Sequence, residues 1–254
     1  MRSLVTGATA GLGAAFARQL AARGSDLVLV ARDEARLEQT ASDLRERYGV
    51  EVAVHRADLG QPDDLDRVAL VLTSAETPID LLVNNAGFGL HAKLANPDLR
   101  LQRNAMDVMC WAVLVLSGAA AGAMRDRGVG RIINVSSLAS WTTSGNYSAI
   151  KAWVRSYSQG LANELHGTGV TVTAACPGWV RTEFHQRAGI RTSAIPDWVW
   201  ADPEPVVERI LRDAERGKVV TVPAARWQIA QIALKLAPQS GVRAVSRMLV
   251  SSRD

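Results

Sequence analysis

Tyr147 and Lys151 are the two residues whose types and spacing most directly indicate chemistry. The chain contains three tyrosines, and only Tyr147 has a lysine four residues further on, which puts both side chains on one face of a helix. A free tyrosine has a pKa near 10, and an ammonium about 4 Å away would lower that pKa by up to about three units. Tyr147 would then serve as a general acid or base near neutral pH. Taken alone, the same spacing also fits an ordinary surface pair.

A second candidate site is the glycine-rich segment Thr6–Gly13, which reads TGATAGLG. The segment follows an apolar run and opens a helical pattern, so free N–H groups and the positive end of the helix dipole would face the turn. A glycine-rich turn alone is weak evidence, but its place at the start of a βαβ unit is the context that pyrophosphate binding requires. The candidate phosphate contacts are Gly7, Thr9, Ala10, Gly11, Leu12 and Gly13.

The elements that would position these residues alternate along the chain. Apolar, β-branched runs predict strands at Ser3–Thr6, Asp26–Ala31, Val50–His55, Ile79–Val83, Arg131–Val135, Val170–Ala175 and Val219–Val222. Helical patterns lie between them, at Leu12–Arg23, Asp33–Tyr48, Asp63–Ser74, Leu101–Arg127, Tyr147–His166 and Glu204–Arg216. Right-handed crossovers then predict one α/β domain over residues 1–254, a doubly wound parallel sheet of the Rossmann type.

The segment TGxxxGxG at Thr6–Gly13 resembles the short-chain dehydrogenase/reductase family. Three further motifs agree with this family: NNAG at Asn84–Gly87, YxxxK at Tyr147–Lys151, and P-G-x-V-x-T at Pro177–Thr182. All four motifs occur in the family order, and together they cover about residues 2–185. The resemblance implies a hydride-transferring oxidoreductase with a nicotinamide cofactor and a homodimer or homotetramer built through the central helix and the Tyr147 helix. It adds Asp58, Leu59, Asn85, Ala86, Gly87, Tyr147, Lys151, Pro177, Gly178, Val180 and Thr182 to the expected cofactor contacts.

The end of the second predicted strand indicates which cofactor is preferred. An NAD site usually has a carboxylate at the strand end, where this chain has Ala31 followed by Arg32. A guanidinium suits a 2′-phosphate, so the sequence favours NADP(H). Asp33 would either reach the ribose or cap the next helix.

The resemblance implies two further catalytic roles. The family's catalytic serine is the second of a pair, which favours Ser137 over Ser136 for stabilising charge on the substrate oxygen. The family also has an asparagine in the central helix, and its place falls on Met109. Because the family uses that residue's main-chain carbonyl to hold a water, we expect a methionine to be tolerated if this carbonyl is turned out of the helix ladder.

Aromatic residues cluster in the segments expected near the substrate. They line a long irregular stretch, about residues 182–205, which we interpret as a substrate lid, together with neighbouring loops. Such a lining suits a bulky apolar ketone that is lipid-like, steroid-like or aryl. Packing of the lid or core is the competing interpretation. The candidate lining residues are Phe88, Trp141, Trp179, Phe184, Trp198 and Trp200.

Composition and charge exclude several other classes. With 48% hydrophobic and 21% charged residues, the sequence is neither disordered nor a disulfide scaffold, and Cys110 and Cys176 predict no metal site. We expect a cytoplasmic protein, with Val108–Met124 as a buried core helix rather than a membrane span. The formal net charge of +4 is concentrated in a basic helical tail, about residues 224–254, without a nucleic-acid-binding motif.

The sequence therefore predicts an NADP(H)-dependent oxidoreductase that transfers a hydride between the nicotinamide and a carbonyl or alcohol, with reduction of a bulky apolar ketone favoured and Ser137, Tyr147 and Lys151 as catalytic residues. Two other functions remain open. One is a non-catalytic dinucleotide sensor or scaffold. The other is a lipid ketoreductase held at a membrane surface by the basic tail.

Overall fold

The computed structural model describes residues 1–90, 92–184 and 196–251, and it shows a parallel sheet between two layers of helices. The predicted fold class is confirmed, with the ends of most elements within two residues of expectation. The strands are β1 (Arg2–Thr6), β2 (Asp26–Ala31), β3 (Val52–Arg56), β4 (Leu81–Asn84), β5 (Gly130–Val135), β6 (Val170–Ala175) and β7 (Val220–Thr221). The helices are α1 (Gly11–Ala22), α2 (Glu34–Tyr48), α3 (Pro62–Thr73), α4 (Arg100–Met106), α5 (Ala112–Arg127), α6 (Asn146–Glu164), α7 (Pro203–Glu215), α8 (Ala225–Leu236) and α9 (Gln239–Ser251).

The seven strands lie in the order β3-β2-β1-β4-β5-β6-β7, and all neighbours pair in parallel. Successive strand residues point to opposite faces, so Val5 packs towards α1, α2 and α7 while Leu4 packs towards α3, α5 and α6. Strand order reverses between β1 and β4. In open α/β sheets such a switch point opens a crevice at the carboxyl ends of the strands, and ligands bind there.

The central helix is interrupted where Met109 lies. Residues Asp107–Trp111 form one turn of π-helix between α4 and α5, in which the N–H of Ala112 donates to the carbonyl of Asp107. The whole span Arg100–Arg127 is long and apolar enough to cross a membrane by composition alone. In the fold, Leu116 and Met124 are buried against the sheet and α3, as the core-helix interpretation predicts.

The predicted basic tail forms two helices rather than one. Helix α8 ends at Leu236, and α9 begins after Pro238, because a proline ring disfavours helical geometry in the residue before it and removes an N–H donor. Trp227 anchors α8 in the core, and the N–H of Thr143 donates to Ser246 Oγ of α9 over 2.9 Å. Both helices therefore dock onto the body of the domain near the catalytic loop.

Candidate active site

Hydrogen bonds of Thr6 and Asn85 stabilise the switch point of the sheet. Thr6 Oγ1, at the end of β1, accepts hydrogen bonds from the N–H groups of Asn85 and Ala86, at 2.9 and 3.0 Å. The Asn85 amide donates in turn to the carbonyls of Thr6 and Gly7, at 3.0 and 3.3 Å. These contacts join the end of β1 to the end of β4, so the NNAG segment fixes the shape of the glycine-rich loop.

The loop needs its glycines for two different reasons. Gly7 and Gly11 have φ of +65° and +54°, in the left-handed region that favours glycine. Gly13 has no such torsion, but a Cβ there would lie 2.0 Å from the carbonyl oxygen of Gly7. Ala10 precedes α1 without a side-chain cap in the described structure, so the first N–H groups of α1 face the loop. A cradle of this kind fits a dinucleotide pyrophosphate, as predicted.

Two arginines lie beyond the end of β2, and only Arg32 was predicted from the sequence to contact the cofactor. Arg32 is exposed directly after Ala31, and Asp33 caps α2 by accepting from the Arg36 N–H over 3.1 Å, so capping is the role the structure supports for Asp33. The Arg36 guanidinium lies 3.4 Å from both the Thr9 carbonyl and Glu183 Oε1. Arg36 was missed because it lies one helical turn beyond the strand end, where no motif marks it.

The adenine side of the crevice follows β3. Asp58 Oδ1 accepts from the N–H of Gly60 over 3.0 Å, and Leu59 is buried in the core. Asp58 therefore lies at the carboxyl edge of the sheet, as predicted, while the Leu59 side chain packs beneath it.

The serine pair divides into a buried and an accessible member. Ser136 Oγ is buried and donates to the Lys151 carbonyl over 2.7 Å, so it anchors α6 to β5. Ser137 is half-buried; its Oγ accepts from the N–H of Ala139 over 3.1 Å and caps a short 3₁₀ turn, Leu138–Trp141. This division agrees with the choice of Ser137 as the residue facing the substrate.

Tyr147 and Lys151 lie on the first turns of α6, with Lys151 Nζ 5.7 Å from the centre of the Tyr147 ring. Lys151 is buried, and Nζ donates to the Val135 carbonyl over 2.9 Å. Removal from water lowers the pKa of Lys151 to about 8, still high enough for an ammonium at neutral pH. Burial has the opposite effect on Cys110 and Cys176, raising the pKa of each thiol to about 11, which makes them poor nucleophiles.

The π-helical turn brings Met109 close to Lys151. A Cβ on Gly87 would lie 3.0 Å from Met109 Sδ and 3.8 Å from Lys151 Nζ, so all three residues share one small space. The regular hydrogen-bond ladder of the central helix is interrupted by this π-helical turn, which contains Met109. The expectation for the Met109 carbonyl requires an interruption at this position. The water between that carbonyl and Lys151 stays a prediction.

A buried polar network beneath the site also escaped sequence reasoning. Asn84 Nδ2 donates to Ser117 Oγ and to Asn134 Oδ1, at 3.0 and 2.9 Å, and Asn134 Nδ2 donates to Ser158 Oγ over 3.0 Å. These four residues join β4, β5, α5 and α6. Their separation in the sequence left no local signal, although Asn84 is the first residue of NNAG.

The P-G-x-V-x-T segment closes the crevice from the other side. Val180 pairs with Ala201 in an isolated parallel bridge, and the Thr182 side chain lies 3.2 Å from where a Cβ of Gly11 would be. The Pro177 carbonyl accepts from the N–H of Leu138 over 2.8 Å, which ties the segment to the Ser137 loop. The predicted cofactor residues from Pro177 to Thr182 thus come together with the glycine-rich loop and the Ser137 loop.

The predicted aromatic lining is only partly assembled. Phe184 lies 5.9 Å from Tyr147 between ring centres, Phe88 packs beside Met109 and Ile150, and Trp179 contacts Trp200 edge to face at 5.5 Å. Residues 185–195 of the predicted lid lie outside the described residues.

One tryptophan is placed differently from expectation. The Trp141 ring packs under the Arg155 guanidinium and near Lys235, beside β7, rather than in the substrate cleft. Trp198 is 70% exposed, on the short turn Asp197–Val199. The expectation that Trp198 lines the substrate cleft stays a prediction.

A Rossmann-type crevice with a glycine cradle, and a tyrosine and a buried lysine close together on α6, are features of a nicotinamide-dependent oxidoreductase. The chain belongs to the short-chain dehydrogenase/reductase family, because the family model described as short chain dehydrogenase matches residues 2–191. Its resemblance to that family is thereby confirmed.

Known relatives agree with this assignment. A very-long-chain 3-oxoacyl-CoA reductase of Anas platyrhynchos is 37% identical over 195 residues, covering 72% of this chain and 60% of that protein. A putative ketoacyl reductase of the granaticin polyketide synthase of Streptomyces violaceoruber is 36% identical over 233 residues, covering 86% and 80%. This chain thus matches less than two thirds of the length of the first relative.

Solved structures show the same fold. A short-chain dehydrogenase from Sphingobium yanoikuyae in complex with NADPH superposes with a TM-score of 0.83 and 34% identity, covering 94% of this chain and 97% of that one. An alcohol dehydrogenase from Comamonas testosteroni, described as specific for bulky-bulky ketones, gives a TM-score of 0.79 and 32% identity over 94% and 95%.

Proposed function

We propose that this protein is an NADP(H)-dependent reductase of bulky, apolar ketones. The observation that carries the proposal is the position of Lys151 Nζ 5.7 Å from the centre of the Tyr147 ring, on the helix that Ser136 ties to β5. It is joined by the Arg36 guanidinium, which lies 3.4 Å from the Thr9 carbonyl of the glycine cradle. The similarity to an NADPH-bound dehydrogenase and to an enzyme described as specific for bulky ketones supports the cofactor and the substrate class.

The bound dinucleotide supplies a hydride to the carbonyl carbon when the ketone is reduced. The Ser137 hydroxyl donates a hydrogen bond to the carbonyl oxygen and orients it. Tyr147 Oη gives its proton to that oxygen, which becomes the alcohol hydroxyl. The Lys151 ammonium, 5.7 Å from the centre of the Tyr147 ring, stabilises the phenolate left behind by charge attraction.

Exposed apolar residues on the central helix support the expected homo-oligomer. Leu101, Met106, Trp111 and Leu114 are 37–57% exposed along α4, the π-helical turn and α5. Trp153 stacks on Tyr157 at 4.9 Å on the neighbouring α6. Because such a row is costly in water, we propose that it is the face joining two copies. Light scattering of Trp111→Glu should show a smaller particle than the unaltered protein.

One observation favours the membrane-surface alternative as a second candidate. Ile229, Ile232 and Leu236 are 55–81% exposed along one face of α8, and the chain has no acidic residue from Arg216 to Arg253. An apolar face among basic residues suits an anionic lipid surface. Co-sedimentation with phosphatidylserine vesicles tests it, since Ile229→Ser with Leu236→Ser should abolish binding while ketone reduction in solution persists.

The test of the main proposal combines a substrate panel with one variant. NADPH oxidation should accompany reduction of apolar ketones, and Tyr147→Phe should lower turnover at least about 100-fold while NADPH still binds. Tyr48→Phe is the matched control, because Tyr48 lies at the end of α2 and should leave the rate unchanged. Normal turnover in Tyr147→Phe would show that another group carries the proton.

A further inference from the structure

A second cavity lies away from the active site, beside edge strand β7 and between α6, α7 and α8. Its volume is about 390 Å³. Four cationic side chains line it, and the described lining contains no acidic side chain: Arg155, Arg209, Lys218 and Lys235. Apolar walls come from Trp141, Val220, Val222 and Ile232, and three glutamines complete the lining.

One buried carboxylate offsets part of this charge. Asp213 lies 3.1 Å from Arg209 and 3.2 Å from Lys218, and it accepts a hydrogen bond from the Thr221 hydroxyl. Although burial opposes it, these hydrogen bonds hold the pKa of Asp213 below its usual value, so the group is ionised. Four cations and one carboxylate leave the cavity with a net charge of +3.

The remaining two cations have an aromatic ring in place of a carboxylate. The Arg155 guanidinium lies 4.6 Å from the centre of the Trp141 ring, and Lys235 Nζ lies 5.7 Å from it. Arg155 Nε is buried without a hydrogen-bond partner, and neither cation forms an ion pair within the described part of the chain. The Arg155 guanidinium also donates to the Ser140 carbonyl over 3.5 Å, so the cavity offers an incoming anion mainly the positive charge of Arg155 and Lys235.

We propose that this cavity binds a phosphate ester, with its phosphate between Lys235 and Arg155 and its organic part against Trp141 and Ile232. Phosphate suits the site because several cations converge on a confined space. A phosphate ester fits better than the inorganic ion, because its organic part would pack against the apolar walls. Trp141 closes the 3₁₀ turn that Ser137 caps, so the ligand would contact the same turn as the catalytic serine, on its other side.

The experiment uses the whole protein saturated with NADP⁺, which occupies the other phosphate site. Inorganic phosphate is titrated against sodium chloride at equal ionic strength, and tryptophan fluorescence is recorded. The expected result is a saturable, phosphate-specific change that Trp141→Phe reduces. Lys235→Gln should weaken binding about 10-fold or more, the loss typical of one charge-assisted contact. Arg243→Gln, at an exposed residue of α9, is the matched control.

Butyl phosphate should bind more tightly than inorganic phosphate, because its chain reaches the apolar wall. No saturable response, or equal affinity in Lys235→Gln and the unaltered protein, would overturn the site. Weaker binding of butyl phosphate would overturn the ester. A different result is that the protein binds phosphatidate vesicles in a Lys235-dependent way and fails to bind butyl phosphate. That result would overturn the ester and show that these cations bind a lipid surface. Thermal unfolding of Lys235→Gln verifies that the variant is folded.

Discussion

The two sides of the crevice are held by different kinds of contact. On the cofactor side, backbone meets backbone so closely that a methyl group on Gly13 would lie 2.0 Å from the Gly7 carbonyl oxygen. On the side expected to hold the substrate, Tyr147 and Phe184 are 5.9 Å apart between ring centres, and the described contact is one of side chains rather than of backbone. The cofactor side thus admits few substitutions, whereas the substrate side can change shape at small cost.

Gly13→Ala tests the rigid side and should have the larger effect. The added Cβ would also lie 2.5 Å from Asn85 Nδ2, so the loop must move away from the end of β4. We expect NADPH affinity to fall about 100-fold and the free energy of unfolding by about 1–3 kcal/mol. Calorimetric titration and urea unfolding measure both.

Gly160→Ala is the control for that variant, because a Cβ at Gly160 meets no described atom within 4 Å on helix α6. It should raise stability by up to about 1 kcal/mol. Equal losses in the two variants would contradict the close-contact explanation.

Arg32→Ala tests whether the cofactor side also selects the cofactor. Loss of a charge-assisted phosphate contact costs about 1.5–3 kcal/mol, so NADPH affinity should fall about 10- to 100-fold while NADH affinity is unchanged. Arg36→Ala should have a smaller effect in the same direction, because Arg36 is shared with Thr9 and Glu183. An equal loss for NADPH and NADH in a fluorescence titration would refute the assignment of Arg32.

Lys151→Met tests the boundary between the two sides, where a buried charge serves the reaction. Burial lowers the pKa of Lys151 from 10.5 to about 8, a cost of about 3 kcal/mol at neutral pH. The variant should lose turnover. Its free energy of unfolding in urea should be about 1–2 kcal/mol higher than that of the unaltered protein, after subtraction of the lost hydrogen bond to Val135.

The same shift has a pH signature. Between pH 8 and 10.5 the unfolded chain binds more protons at Lys151 than the folded one, so the contribution of Lys151 to stability rises with pH there, while the raised thiol pKa values of Cys110 and Cys176 contribute a fall above pH 9. Lys151→Met should lack this rise. A lower stability of the variant at pH 7 would contradict this prediction. It would show that the packing contacts of Lys151 stabilise the fold by more than the burial of its charge destabilises it.

Phe184→Ala tests the adaptable side and should have the smallest effect. Phe184 packs beside Tyr147, so its loss should raise KM for aryl ketones about 5-fold while leaving KM for small ketones unchanged. Tyr48→Ala, at the end of α2, is the aromatic control and should change neither value by more than about 2-fold. A size-independent rise in Phe184→Ala would assign Phe184 to packing of the loop.

The same contrast explains what could be predicted from the sequence. Gly7, Asn85, Tyr147 and Thr182 belong to motifs whose spacing is fixed by local backbone geometry, and the structure brings them together. Trp141 was misplaced because its direction depends on Arg155 and Lys235, which are distant in sequence or on another element. Arg36 was missed for a related reason, since its contact with Thr9 arises only when α2 packs beside the loop.

The packing of Trp227 on Gly178 makes α8 a reporter of the cofactor site. A Cβ on Gly178 would lie 2.6 Å from the Trp227 ring, so α8 packs directly on the loop that is expected to contact the cofactor. Detachment of α8 and occupancy of the crevice are then linked equilibria, and each must shift the other by the same factor. Limited proteolysis after Lys235 would therefore slow in proportion to cofactor saturation, giving a measure of binding that needs no substrate.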